Sequence, residues 1–240
     1  MKTFLALSLL TGTAVVAASD SPNLTHDGWK RVDDLRLVTG FSAPLDSARA
    51  KQMDENTGAS SQQSLQVSEA PGWRAGLRAD RQAFSESGFG WLVGLELGYD
   101  RHRGTITQIT DASGDLGPGS RAELDTASLI LHLGPTWWFH ALDEDLRVLP
   151  GAWRIELVPR LAAGFSRARL NPGSGGWSWS GSSLGYGVAA VLAVRLAHHW
   201  EIATEFAYDS VKSDVTWGGT RDATLRAQGF TTGLQLIRLF

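Results

Sequence analysis

The feature that most constrains the fold is a strict two-residue alternation in segment 89–100, FGWLVGLELGYD. One row of alternate residues is apolar, whereas the other consists of glycines, one leucine and the acids Glu96 and Asp100. Successive side chains of a β-strand point to opposite faces, so this period predicts a strand. Such a strand fits a soluble sandwich that buries the apolar row, or a membrane barrel that turns this row towards lipid.

The same alternation recurs along the chain and predicts eight strands, near 32–43, 73–80, 89–100, 128–137, 153–166, 184–196, 200–209 and 229–236. The first is the weakest, with Leu35, Leu37 and Phe41 on one row. Shorter connections at 85–88, 140–151 and 197–199 alternate with longer polar ones at 44–71, 102–121, 169–182 and 210–222. Short turns at one end and long loops at the other are typical of outer-membrane barrels. The longer connections, 44–71 above all, are interpreted as mobile extracellular loops.

Aromatic residues fall at the two ends of these predicted strands. Those at the short-turn end are Trp91, Trp137, Trp138, Phe139, Trp153, Trp200 and Phe240, and those near the long loops are Trp73, Tyr99, Phe165, Tyr186 and Tyr208. Amphipathic rings are favoured at membrane interfaces, so the sequence predicts two aromatic girdles. The predicted fold class is all-β, an eight-stranded antiparallel up-and-down transmembrane β-barrel. A soluble sandwich or lipocalin-like barrel is the alternative.

The amino terminus predicts export. Lys2, the apolar run 4–10 and the small residues 16–18 indicate a signal peptide at 1–18, although a buried first helix would share this composition. A periplasmic segment at 19–31 and a barrel domain at 32–240 complete the predicted organisation. The chain has no cysteine, which excludes disulfides and thiolate metal sites.

The rows opposite the apolar ones hold charges of both signs. The predicted lumen residues are Arg74, Arg78, Asp80, Glu96, Asp100, Arg154, Glu156, Arg160, Arg195, Glu201, Glu205 and His132. An eight-stranded barrel is just wide enough for side chains to fill, so these groups are expected to form a salt-bridged plug. A narrow gated pore, in which an Arg–Glu pair exchanges partners, is the alternative.

Candidate chemistry is sparse, and we expect no enzyme activity, metal or cofactor. Ser128 and His132 share a row about 13 Å apart, too far for a nucleophile and its base. Asp100 and His102, near Asp209 at the long-loop rim, resemble the Asp/His sites of outer-membrane proteases, which have ten strands. We found no phosphate-binding glycine loop and no basic stripe for nucleic acid.

Trp177 and Trp179, two residues apart in the 169–182 connection, are candidate contact residues for a glycan, a lipid head or a protein. A hairpin extension whose outward row continues the girdle is the alternative interpretation.

The signal peptide, the alternating strands, the two classes of connection and the terminal Phe240 resemble small outer-membrane barrels of the OmpA/OmpX type. The last strand, TTGLQLIRLF, resembles the carboxy-terminal signal read by the barrel-assembly machinery, except that Arg238 stands where an apolar residue is usual. The resemblance implies a monomer in the outer membrane of a Gram-negative bacterium. Its partners would be outer-membrane lipid, lipopolysaccharide and the assembly machinery. The implied role is structural or surface-interacting, with a porin-like channel or a lipid-modifying or proteolytic enzyme as alternatives.

Overall fold

A computed structural model describes residues 29–53, 60–67, 72–110, 119–139, 150–170, 177–197, 199–217 and 221–240. Within these ranges the chain forms ten strands: β1 Lys30–Ser42, β2 Leu45–Met53, β3 Ser60–Val67, β4 Gly72–Phe84, β5 Phe89–Thr110, β6 Arg121–Phe139, β7 Trp153–Leu170, β8 Trp177–Ala197, β9 Trp200–Trp217 and β10 Arg221–Leu239. The described residues include no helix long and apolar enough to cross a membrane. The predicted signal peptide lies outside the described residues. The first strand begins at Lys30, within the segment predicted to be periplasmic.

Eight of the strands close into a ring in the order β1, β4, β5, β6, β7, β8, β9, β10, and β10 pairs back onto β1. Every neighbouring pair is antiparallel. A closed ring pairs the backbone groups of the strands with one another, which a lipid environment requires. The predicted fold class is therefore confirmed.

The β2–β3 hairpin completes the ring at the long-loop end. β1 stops at Ser42 and β4 starts at Gly72, whereas β5 and β10 continue further. β2 pairs with β10, and β3 pairs with β5, so the hairpin takes the place of β1 and β4 at this level. The prediction of a mobile loop at 44–71 is wrong for the described parts of this segment. The extended β5 and β10 would otherwise present unpaired N–H and C=O groups, and the hairpin satisfies them.

The polarity of the two strand faces inverts part-way along the barrel. In β5 the outward row is apolar as far as Tyr99 and then carries Arg101 and Arg103, while the inward row passes from Glu96 to the buried Ile106. β5 has 22 residues, about 73 Å at ~3.3 Å per residue, whereas about 9–11 tilted residues cross a bilayer. The part beyond the inversion is thus a collar that stands in water on the extracellular side. We call it the extracellular collar, formed by 45–53, 60–67, 101–110, 121–125, 167–170, 177–182, 212–217 and 221–228.

The collar also corrects the predicted loops at 102–121, 169–182 and 210–222. Their described parts are strand extensions, because β5 and β6, β7 and β8, and β9 and β10 stay paired well beyond the apolar belt. The inside of the collar is filled by an apolar cluster, which we call the collar core. Its members are Leu45, Ala48, Val67, Ile106, Ala122, Leu124, Ala168, Leu170, Trp179, Val215, Ala223, Leu225 and Ala227.

A second apolar cluster occupies the short-turn end of the lumen, and we call it the lower apolar cluster. It includes Val32, Phe84, Leu92, Trp138, Ala152, Ile237 and Leu239. The rings of Phe84 and Trp138 stack with their centroids 5.1 Å apart. Trp138 was predicted to lie in the girdle, but its even position in β6 points it inward, where it is buried.

Candidate functional site

The charged lumen lies along the barrel interior between the lower apolar cluster and the collar core. All twelve predicted lumen residues occupy inward positions, and all are buried except Asp100, which is half-buried. Sequence reasoning missed further members of the same rows: Asp34 and Arg36 on β1, Gln82 on β4, Asp209 on β9 and Gln235 on β10. The period-two signal was present for each, because Asp34 and Arg36 alternate with the apolar Leu35 and Leu37.

Arg36 is the centre of the lower group of charges. Its guanidinium donates to Asp34 at 2.8 Å and to both oxygens of Glu156 at 2.8 Å, and it lies 2.6 Å from Asp80. These carboxylates belong to β1, β7 and β4, so a single side chain crosses the lumen. The group is completed by Arg78, 2.7 Å from Asp80, and by Arg154, 2.8 Å from Glu156 and 2.7 Å from Glu201.

The upper group is built on two arginines. Arg74 donates to Glu96 at 2.7 Å, and Glu96 in turn lies 3.0 Å from Nε2 of His132. Arg160 donates to Glu205 at 2.7 Å and through Nε to Asp209 at 2.6 Å. The group therefore joins β4, β5, β6, β7 and β9 by charge-assisted hydrogen bonds, which are stronger than neutral ones.

Gln235 connects the two groups. Its side-chain oxygen accepts from Arg36 at 3.1 Å, and its amide nitrogen donates to Glu205 at 2.7 Å. Arg195, nearer the short-turn end, donates to the carbonyl of Ala197 at 3.2 Å. Buried charges are costly unless they are paired. The network pairs most of the lumen charges, although Glu201 has an ion-pair contact with Arg154 and neither of its carboxylate oxygens has a hydrogen bond among the described residues.

A cavity of about 40 Å³ lies between the upper group and the collar core. Asp100, His102, Arg74, Arg160 and Asp209 are among the residues that line it. His102 lies with Nδ1 2.7 Å from the carbonyl of Ala43, and its buried Nε2 has no hydrogen-bond partner among the described residues. This volume suits a few water molecules bound to polar groups.

The predicted rim site of Asp100, His102 and Asp209 does not lie at the rim. His102 is 2% exposed beneath the collar core, and Asp209 is engaged by Arg160. The apolar side chains of the collar core lie above them. Among the described residues no group of three or more His, Asp or Glu is placed to hold a metal ion. The absence of catalysis stays a prediction.

The outer surface carries an apolar belt whose two borders are aromatic. At the short-turn border Trp91, Trp200 and Phe240 are exposed, and Trp137 and Trp153 are half-buried against Phe89 and Phe139. At the collar border stand Tyr99, Phe165, Tyr186 and Tyr208, with Trp73 beside Tyr99. Arg238 lies 5.2 Å from the ring centroid of Phe240 and 6.0 Å from that of Trp200, which accounts for an arginine at this position.

The closed ring, the outward apolar belt and its aromatic borders decide the architecture. The chain is an eight-stranded transmembrane β-barrel. No protein-family model and no curated protein matches it. Among solved structures it is similar to Neisserial surface protein A, with 12% identity and a TM-score of 0.37 over 85% of this chain and 95% of that one. It is also similar to OprG from Pseudomonas aeruginosa, with 11% identity and a TM-score of 0.44 over 88% and 97% of the two chains.

The outer membrane protease OmpT from Escherichia coli is similar at 8% identity and a TM-score of 0.44, over 86% of this chain and 97% of that one. Similarities this distant transfer no ligand and no reaction to the barrel. Its function has to be argued from its own residues.

The candidate contact residues Trp177 and Trp179 do not form an exposed pair. Trp179 is 2% exposed, since it faces Ala168 on the inward row and packs in the collar core. The prediction that Trp179 is a surface contact is therefore wrong, and the reason is that the collar reverses which row is apolar. The backbone of Trp177 begins β8, and its side chain lies outside the described part of the molecule.

Proposed function

We propose that the protein is a structural and surface-presenting outer-membrane barrel that does not conduct ions or solutes. The observation that carries this proposal is the lumen, where a continuous ion-pair network lies between two apolar clusters. Each end of the barrel interior is thus filled by side chains that exclude water, and the charges between them are engaged with one another.

The extracellular collar supports the surface-presenting part of the proposal. It is built of paired strands around its own apolar core, so it holds its outer face in a fixed shape. Its outward row is polar, for example Arg103, Arg121 and Arg167, all exposed. Such a surface is suited to contacts with lipopolysaccharide or with molecules outside the cell. We infer a monomer that reaches the membrane through the barrel-assembly machinery, with β10 as the recognised strand, because β10 closes the ring.

A narrow gated pore is the competing function. The cavity beside Arg160 favours it, since this arginine contacts both Glu205 and Asp209 and could exchange one for the other. Conduction would further require both apolar clusters to open.

Planar-bilayer recording tests the choice between the two functions. Mature wild-type protein, folded as judged by a heat-dependent gel shift, is expected to give no discrete conductance steps. Two variants, Glu205→Gln and Arg160→Ala, each remove one charge of the Arg160–Glu205 ion pair in the lumen. Arg81→Ala, which removes an exposed outward arginine from the same barrel, is the control. The proposal would be overturned if the wild type gave discrete conductance steps that Glu205→Gln or Arg160→Ala changed and Arg81→Ala left unchanged. The protein would then be a pore.

A further inference from the structure

A hollow of about 650 Å³ indents the lipid-facing surface of the barrel across β5 to β10. Its wall includes Leu131, Leu161, Leu184 and Tyr186, and its upper border is formed by Lys212 and Arg226. The indentation arises because the small residues Ala163 and Ser210 stand among these long side chains. The leucine side chains are free to contact a ligand, since Leu161 is 63% and Leu184 68% exposed.

The two cations at the border are unusually placed. Lys212 on β9 and Arg226 on β10 are direct cross-strand partners, an arrangement that is destabilising for like charges. Lys212 lies 2.9 Å from Asp214, which also accepts a hydrogen bond from Thr224 at 2.7 Å. Arg226 forms no ion pair within the described ranges. The pair of cations therefore lacks a full counter-charge and would be stabilised by an anion between them.

The hollow and the cations occupy different depths of the membrane. Leu131, Leu161 and Tyr186 follow one another across β6, β7 and β8 in register. Strands in such barrels are tilted by about 35–45°, so a row that follows the hydrogen bonds climbs towards the collar. Lys212 lies four residues beyond Tyr208, where the collar begins above the aromatic border. The site is consequently apolar within the hydrocarbon and cationic at the extracellular surface.

We propose that this site binds a phosphorylated lipid of the outer leaflet, with acyl chains in the hollow and a phosphate between Lys212 and Arg226. An arginine guanidinium binds phosphate through two parallel hydrogen bonds, and lysine binds it as a point charge. The site is apolar where the acyl chains would lie and cationic where the phosphate would lie. The inference rests on the outer-membrane location and is independent of whether the lumen conducts.

The collar offers an internal control for simple charge attraction. Arg101, Arg103, Arg121, Arg167 and Arg169 form an outward basic patch on β5, β6 and β7. Glu123 and Asp125 lie within this patch and contact Arg101 at 3.3 and 3.5 Å. The basic patch has more arginines than the hollow has cations, so a non-specific electrostatic attraction would favour the patch.

Native mass spectrometry of the refolded mature chain in detergent micelles, titrated with bis-phosphorylated lipid A, measures the binding. We expect one retained lipid for the wild type. Lys212→Ala/Arg226→Ala should weaken its apparent affinity by about tenfold or more, since both cations that attract the phosphate are lost. Asp214→Asn should strengthen binding because it releases Lys212. Ala163→Trp should weaken it because the indole fills the hollow.

The matched control is Arg103→Ala/Arg121→Ala, which removes the same charge from the basic patch and should leave the apparent affinity within about threefold. The proposal would be overturned if the wild type retained dephosphorylated lipid A as well as it retains the phosphorylated lipid. It would also be overturned if the control variant lost as much affinity as Lys212→Ala/Arg226→Ala. Binding of the soluble phosphorylated disaccharide as tight as that of the lipid would also overturn it. A dimer that forms through the hollow, and is abolished by Ala163→Trp, would assign the surface to a second copy of the chain instead. The gel shift verifies that every variant is folded.

Discussion

Removal of Arg36 is the perturbation that tests the lumen network most severely. Its guanidinium contacts Asp34, Asp80 and Glu156, which come from three strands, and also Gln235 on a fourth. Arg36 and all three carboxylates have fully buried side chains. Arg36→Met keeps most of the volume and removes the charge, which leaves three buried carboxylates with only Arg78 and Arg154 as cations nearby.

The expected cost follows from the burial. Breaking a buried ion pair by removing one partner costs about 3–5 kcal/mol, because the other partner keeps its desolvation penalty. We therefore expect Arg36→Met to lower the free energy of unfolding by this amount. Adding Glu156→Gln removes one surplus carboxylate, so the double variant should be more stable than the sum of the two single changes predicts, by about 0.5–3 kcal/mol.

Equilibrium urea unfolding in phospholipid vesicles, followed by the fluorescence of the ten tryptophans, measures these free energies. Arg81→Met is the control, since Arg81 pairs with Asp33 at 2.8 Å on the outer surface with its side chain 61% exposed. An exposed pair contributes about 0–1 kcal/mol. A loss for Arg36→Met no larger than that for Arg81→Met would refute the argument that the network holds the barrel together.

Two further changes test the packing. Trp179→Ala should lower the free energy of unfolding by about 3–5 kcal/mol in the same urea assay, because it opens a cavity in the collar core; a change below ~1 kcal/mol would mean that Trp179 is exposed. Gly94→Ala places a Cβ against the carboxylate of Asp80, which Arg78 and Arg36 hold in position, and should cost about 1–3 kcal/mol. In Gly98→Ala, on the same strand, the added Cβ meets the end of the Ile130 side chain at 3.1 Å, so the loss of stability should be smaller. A larger loss of stability for Gly98→Ala than for Gly94→Ala would contradict the placement of Asp80.

The membrane-spanning half of the barrel could be predicted from the sequence because lipid imposes one rule on every strand. Most outward positions there are apolar, so alternation alone indicates the strands and the lumen rows. Leu95 and Glu96 on β5 show this directly, since they differ in polarity and lie on opposite faces.

The collar could not be predicted in the same way, because water replaces lipid around it. The period of two continues, but the apolar row moves inside, as Leu124 and Leu170 show, and arginines occupy the outside. A search for outward apolar rows therefore ends each strand too early and assigns its extension to a loop. The same inversion explains why Trp179 was assigned to the surface. The β2–β3 hairpin is mostly polar, with Leu45, Ala48 and Val67 in the collar core, and it pairs with the edges of β5 and β10, which only the assembled barrel provides.

Cysteine accessibility inside the lumen tests the central claim most directly, and the chain has no natural cysteine. Ser128→Cys places a thiol in the lumen beside the cavity, and Ser180→Cys places one on the exposed face of the collar. A closed barrel predicts that a charged, water-soluble thiol reagent labels the Ser180→Cys protein rapidly. It also predicts that the folded Ser128→Cys protein stays unlabelled until urea unfolds it. Labelling of Ser128→Cys in the folded barrel at a rate close to that of Ser180→Cys would contradict the account and show that water and solutes pass through the lumen.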